Sequence, residues 1–233
     1  MFLIKFGKKA HLEQLRNGIV HFSPIELFQK DLTSFRGDKM EGREYIDLSK
    51  PLVVNGLDIS KYISEAILST ELSCQVFSFS ASLLSFQNCH LTSNGNYTPN
   101  NDFIAEMKQF GDHFLVIDFS AFINALAEKL NVSECGFEYH PITYIDKHDH
   151  DAVQNYYINR SKNQKQTAHF FIKDTANSYW LQYEWRFIML DYKHRYTPDI
   201  HGGINLQTGF STDAPIFNVD TLCTLQCSED LFK

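Results

Sequence analysis

An α+β fold built on an antiparallel sheet is the class this sequence predicts, and three observations carry it. Helical segments come early and strands late, an order that fits α+β better than a doubly wound sheet. Aromatic residues are abundant, with 20 Phe, 11 Tyr and 2 Trp among 233 residues, and such side chains favour strands. No internal repeat and no linker-like stretch divides the chain, so residues 1–233 are expected to form a single domain. A hydrophobic share of 43% and a charged share of 21% exclude wholesale disorder and coiled coil.

Residues 2–6 read as a short apolar strand. Residues 8–17 follow as a helix with Leu12 and Leu15 inward and Gly18 as its stop signal. Residues 19–22 return as a strand, and Ser23 is expected to cap a short helix opening at Pro24. The polar, aperiodic stretch 33–43 is a loop, and Asn55-Gly56 after Val53 marks a hairpin turn. Ser60 opens an expected amphipathic helix with Ile63, Ala66, Ile67 and Thr70 on one face. Residues 75–80 form a strand, 88–102 a second loop, and 114–119 a strand apolar enough for burial on both faces. The next helix aligns Phe119, Phe122, Ile123, Leu126 and Leu130, with Ser120 as its cap. Strands at 141–145, 168–172 and 183–190 complete the pattern, with a polar helical stretch at 149–165.

A net charge of −7 leaves no overall basic footprint, which disfavours charge-driven binding to duplex DNA. The longest apolar runs are strand-sized, far short of the ~20 residues a membrane helix needs. Residues 1–9 lack the apolar core of a secretion signal, and five cysteines without a regular framework suggest reduced thiols. The expected location is cytoplasmic, with no membrane partner.

The segment 182–188 holds the most chemistry. Strand periodicity puts Gln182, Glu184 and Arg186 on one face and Tyr183, Trp185 and Phe187 on the other. Taken alone, that polar face reads as a solvated surface with a diagonal Glu–Arg pair. Asp38 and Glu41 either bind a ribose or solvate their loop, the second being favoured. His148, Asp149, His150 and Asp151 alternate along the chain, a spacing that seldom converges three ligands, so no metal is expected. Cys223 and Cys227 lack the second pair of a zinc site, and Cys74 has no histidine at known reach. Phe77, Phe79 and Tyr144 read as core, with stacking of one of them on nicotinamide or on a target base as the alternative.

Several short motifs in order resemble a broad bacterial family with the pattern "KY … L..L..G.iyfs.p..FNDPfE". They are Ile4-Lys5-Phe6, then Leu12, Leu15 and Gly18, then Val20, Phe22, Ser23 and Pro24, then Gly37-Asp38 and Glu41-Gly42. The resemblance continues through Val76-Phe77-Ser78-Phe79-Ser80, Gly111 to Phe119, and Pro141-Ile142 with Tyr144. It closes on Lys173, Trp180, Glu184 and Arg186, which match "K…W..E.E.R". Two departures are Lys5-Phe6-Gly7, where a His-Gly pair would stand, and the missing NDP run after Phe28. The same order also resembles the ADP-ribosyltransferase fold, whose late strand carries Gln/Glu-x-Glu, here Gln182-x-Glu184.

That resemblance implies a split antiparallel β-sheet with flanking helices and an NAD-dependent ADP-ribosyltransferase, with NAD as substrate and no metal. It implies Glu184 as the catalytic carboxylate and Gln182 as the residue orienting the nucleophile, with Lys5, Phe6, Ser23 and Arg186 in the NAD site. A carboxylate suits the task, because breaking the nicotinamide–ribose bond builds an oxocarbenium-like sugar. The implied acceptor is a macromolecule, RNA or protein. The implied biology is a toxin of a toxin–antitoxin or anti-phage defence system, with an antitoxin protein as partner. The alternatives are a non-catalytic binding module of the same fold and an NAD hydrolase. An open groove beside Glu184 would favour an enzyme, and a filled one the module.

Overall fold

The computed structural model describes residues 1–31, 37–69, 74–130, 135–160, 167–175 and 178–232. Its first half runs β1 (Phe2–Gly7), α1 (Lys9–Arg16), β2 (Ile19–Pro24), α2 (Ile25–Lys30), β3 (Arg43–Tyr45), β4 (Val53–Val54), β5 (Leu57–Asp58), β6 (Ile67–Ser69) and β7 (Gln75–Leu83). A hairpin of β8 (Cys89–Leu91) and β9 (Tyr97–Pro99) follows, then α3 (Asn101–Met107), β10 (His113–Asp118) and α4 (Phe119–Lys129). The remainder runs β11 (Cys135–Pro141), β12 (Thr143–Ile145), α5 (His150–Ile158), β13 (Ile172–Asp174), β14 (Glu184–Asp191), β15 (Ile204–Gln207) and β16 (Phe217–Asn218).

The main sheet has the order β11–β14–β7–β1–β10–β16, with β15 joined to it through β2, and its pairings are antiparallel. Strand β7 organises it. One edge pairs with β14 from Gln75↔Asp191 to Ser82↔Glu184. The other edge is shared: β2 takes Phe77 and Ser78, β1 takes Ser82 and Leu83, and residues 79–81 lie in the gap between them. The sheet is therefore split, because two strands diverge from a common edge.

Alternation along β7 and β14 gives the sheet two unlike faces. On one, Phe79, Ala81, Phe187 and Met189 pack with Leu12 and Leu15 of α1 and Phe122, Ala125 and Leu126 of α4. On the other, two apolar clusters flank a polar strip. One cluster joins Ile4, Phe6 and Phe114 to Phe103 and Met107 of α3, and the other joins Ile25, Val76, Ile188 and Leu190 to Phe170 and Phe171.

The α+β class, α1, and the turn at Asn55-Gly56 stand as read; both turn residues have positive φ, as a tight hairpin turn requires. Other boundaries are corrected. Ser60 opens no helix, since Asp58 accepts from its backbone N at 3.0 Å and its Oγ at 2.6 Å, closing a turn instead. Ile67 belongs to β6, and Thr70 lies outside the described residues. Ser23 remains in strand, where it pairs with Ser78, and caps nothing. Asp118, whose longer side chain accepts from Ala121 N at 2.7 Å, caps α4 in place of Ser120.

The expected loop at 88–102 contains the β8–β9 hairpin. The expected strand 141–145 breaks at Ile142, whose N–H donates to Glu184 O at 2.9 Å, and β12 then pairs in parallel with β13. Residues 168–171 form a 3-10 turn ahead of β13. Helix α5 ends at Ile158, and residues 161–165 of the expected helical stretch lie outside the described residues.

Candidate functional site

A cleft of about 560 Å³ opens over the polar strip beside the split in the sheet. Its wall includes Lys5 and Phe6 of β1, His21 and Ser23 of β2, Ser78, Ser80 and Ser82 of β7, Lys173 of β13, and Glu184 and Arg186 of β14, together with Gln182. The volume falls within the roughly 300–1,000 Å³ of small-molecule sites. The groove is open, not filled. Every residue expected at the site (Glu184, Gln182, Lys5, Phe6, Ser23 and Arg186) lines this one cleft.

Glu184 is its centre. Its carboxylate is buried and binds Lys173 Nζ at 2.7 Å, Arg186 Nε at 2.8 Å and Ser80 Oγ at 2.5 Å. Burial pushes this carboxyl up, but the Arg186 guanidinium and the Lys173 ammonium outweigh it and hold the group well below the usual carboxylate range. Arg186 also forms a fork with Glu41, with Nη2 to Oε2 at 3.2 Å, and donates to Phe170 O at 2.6 Å. Its burial favours loss of the proton, yet the two carboxylates raise its pKa further. Glu41 is fully buried, and that burial raises its carboxyl despite the shared guanidinium.

The loop residues Asp38 and Glu41 are therefore not solvated, which corrects the favoured reading. Lys147 Nζ lies 3.7 Å from Asp38 and donates to Met40 O at 2.6 Å, while Tyr179 OH bonds Gly37 O. Donors from three later segments, at Lys147, Tyr179 and Arg186, fold this loop against the sheet, which no local pattern announces. The Glu184–Arg186 pair is likewise no surface pair, because Ser80, Phe170 and Glu41 enclose it.

Gln182 is not on the strand. It ends a 3-10 turn over Ser178–Gln182, and Tyr183 then adopts φ 46°, so the two-residue alternation begins only at Glu184. Tyr183 thereby packs with the Ile4–Phe103 cluster, away from Trp185 and Phe187. The Gln182 amide is held at both ends, with Nε2 donating to Glu106 Oε1 at 3.0 Å and Oε1 3.5 Å from Lys173 Nζ. Lys5 turns into the split, where its ammonium donates to Ser80 O, a carbonyl in the gap between β1 and β2, and sits 4.5 Å from the Phe79 ring centroid. Ser78 Oγ is buried on the cleft floor and has no hydrogen-bond partner among the described residues.

The remaining candidates have structural partners. Asp149 caps α5 through Ala152 N at 3.0 Å, and His148 stacks on Tyr45 with ring centroids 4.1 Å apart. Among the described residues no three His, Cys, Asp or Glu side chains are grouped to hold a metal. Cys227 is buried and Cys223 exposed. Cys74 is partly buried, which raises its thiol pKa and makes it a poor nucleophile.

Three groups at or beside the cleft are not singled out by the sequence. Ser80 stands in one of the matched motifs with no role of its own, although its alternation with Ser78 and Ser82 on an otherwise apolar strand is a readable signal. Glu106 sits on α3, with no local hint of its contact to Gln182. His21 and Asn205 face each other across β2 and β15, and the second of those strands was not read at all. Compared with protein-family models, with curated proteins and with solved structures, the chain has no significant match.

Proposed function

We propose that the chain transfers the ADP-ribosyl group of NAD to a macromolecular acceptor, RNA or protein. One observation carries this reading: an open cleft contains a buried carboxylate, Glu184, that two cations keep ionised. A fixed negative charge stabilises the oxocarbenium-like ribose more than the ground state, which is where rate enhancement arises. Lys5 adds a cation to the same wall for a diphosphate, whereas Lys173 and Arg186 are paired with Glu184 and Glu41. The groove is open, which favours an enzyme over a binding module.

A second groove of about 410 Å³, lined by Tyr144, Trp180 and Tyr183, also borders Glu184. Two concavities that both border residue 184 suit a donor and an acceptor, and this favours transfer over hydrolysis by water. In this reading the chain is a growth-arresting effector, and an antitoxin partner would act by covering the cleft.

The test is incubation with labelled NAD and a cell lysate, with label followed into RNA, protein and free ADP-ribose. Glu184→Gln keeps the shape and removes the charge, so turnover should fall about 10²–10³-fold with NAD binding less affected. A folded Glu184→Gln protein that labels as well as the parent would refute the reading. Label released only as ADP-ribose would reassign the chain as an NAD hydrolase.

A further inference from the structure

We infer that His21 is a second catalytic group of this cleft, the general base that takes the proton of the acceptor nucleophile. The inference rests on the transfer reading above. A base must bind the proton it removes, and Glu184 is badly suited because Lys173 and Arg186 hold its carboxylate in the ionised, weakly basic form. The cleft therefore needs another group, and its wall contains one already oriented.

His21 and Asn205 are direct cross-strand partners, so their side chains leave the same face of the β2–β15 ribbon. His21 Nδ1 is 3.0 Å from Asn205 Oδ1, with Asp199 Oδ2 at 4.0 Å. A carboxamide oxygen only accepts, so this bond places the proton on Nδ1 and leaves the Nε2 lone pair available. Asp199 is fixed in turn by the backbone N–H groups of His201 at 2.8 Å and Gly203 at 3.0 Å. The imidazole lies against Gly203, where an added Cβ would meet the ring at 2.5 Å and displace it from this position. A histidine oriented by an amide oxygen, with a carboxylate 4.0 Å away to favour the imidazolium once it forms, is prepared as a base for a nucleophile.

The sheet sets the separation. Ser80 is opposite Arg186, and continuing the Ser23↔Ser78 register by two residues puts His21 across the split from Ser80. β2 leaves β7 beyond Ser23, so His21 stands more than two strand spacings, about 10 Å, from the Arg186 backbone, with the cleft between them. The His21 side chain is 46% exposed, so an acceptor can reach it from solvent. Charged and titratable groups facing it on the cleft wall are Asp199, His201, Lys5, and Lys8 and His11 at α1.

The step balances as follows. The acceptor X–H gives its proton to Nε2 as its lone pair forms the C1′–X bond. The C1′–N bond breaks with its electron pair passing to the pyridinium nitrogen, and neutral nicotinamide leaves. The imidazolium then returns its proton to water.

The experiment measures kcat, KM for NAD and pH profile on the full chain for the parent, His21→Gln, Asn205→Ala and Asn205→Asp, with melting temperature alongside. His21→Gln should lower kcat by about 10²–10⁴-fold with KM for NAD little changed. Asn205→Ala should lose less, and Asn205→Asp, which keeps the accepting oxygen, should recover much of it without a change in melting. If the parent turns over NAD while His21→Gln keeps its kcat at every pH, His21 is not the base and the transfer reading stands. Equal rates for Asn205→Ala and the parent would likewise overturn the orienting role, even if His21→Gln folded poorly. A parent that consumes no NAD with any acceptor overturns both readings together, which separates the two failures.

Discussion

The two faces of the β7–β14 ribbon use the same backbone for opposite purposes. Phe79, Phe187 and Met189 point to one side, where Phe187 has ring neighbours in Phe79 at 5.6 Å and Phe122 at 5.4 Å. Ser80, Glu184 and Arg186 point to the other, one residue out of step, into an ion-pair network that includes Glu41 and Lys173. Burying the phenylalanines removes apolar area from water, worth about 1.5–3 kcal/mol for each full side chain. Burying the charges returns little, because desolvation offsets much of their attraction. The apolar face is thus accounted for by stability. The polar face is not, and its placement in an open cleft is what points to function.

The sharpest way to break this contrast compares one large substitution on each face. Phe187→Ala should destabilise the fold by about 3–5 kcal/mol in denaturant titration. Arg186→Met should cost about as much, because Glu41 and Glu184 are left buried without their shared cation. The faces should then part company. Replacing Glu41 and Glu184 by Leu and Lys173 and Arg186 by Met in one protein should restore stability to the parent's level or above, with NAD turnover lost. A four-site variant as unstable as Arg186→Met alone would show that the charges hold the fold together.

A smaller effect is expected in acid. Glu184 has its folded pKa depressed, so its stabilising contribution is present above the unfolded value, about 4.3, and lost as pH falls below it. The stability gap between the parent and Glu184→Gln should therefore be widest near neutrality and narrow below about pH 4. Glu41 works in the opposite direction, since its raised pKa makes its contribution fade as pH rises. A gap that widened in acid would contradict the assignment of Glu184 as the ionised member. The least effect belongs to Ser78→Ala, which removes a hydroxyl without a partner among the described residues and should change stability by no more than about 0.5 kcal/mol in either direction.

Much of this contrast was legible in the chain. The alternation of 184–188 alone separates charges from aromatics, and the stop at Gly18 and the turn at Asn55-Gly56 follow from backbone preference. Gln182 shows where the reading ran out. Its spacing from Glu184 matches a strand, yet Tyr183 takes a left-handed conformation and sends its ring into the Ile4–Phe103 cluster, a contact set by distant packing. Ser60 fails for a local reason, because Asp58 captures its backbone and hydroxyl.

The sequence by itself determined an α+β chain, a sheet rich in aromatics, and a late strand with a carboxylate and a guanidinium on one face. These depend on periodicity and backbone preference, which act over a few residues. Only the tertiary structure decided that β1 and β2 diverge along β7, that Glu41 reaches Arg186 across 145 positions of chain, and that His21 meets Asn205 across 184. Such contacts depend on how the whole chain closes on itself, and a burial that pairs one charge with another leaves no repeating mark in the residues between them.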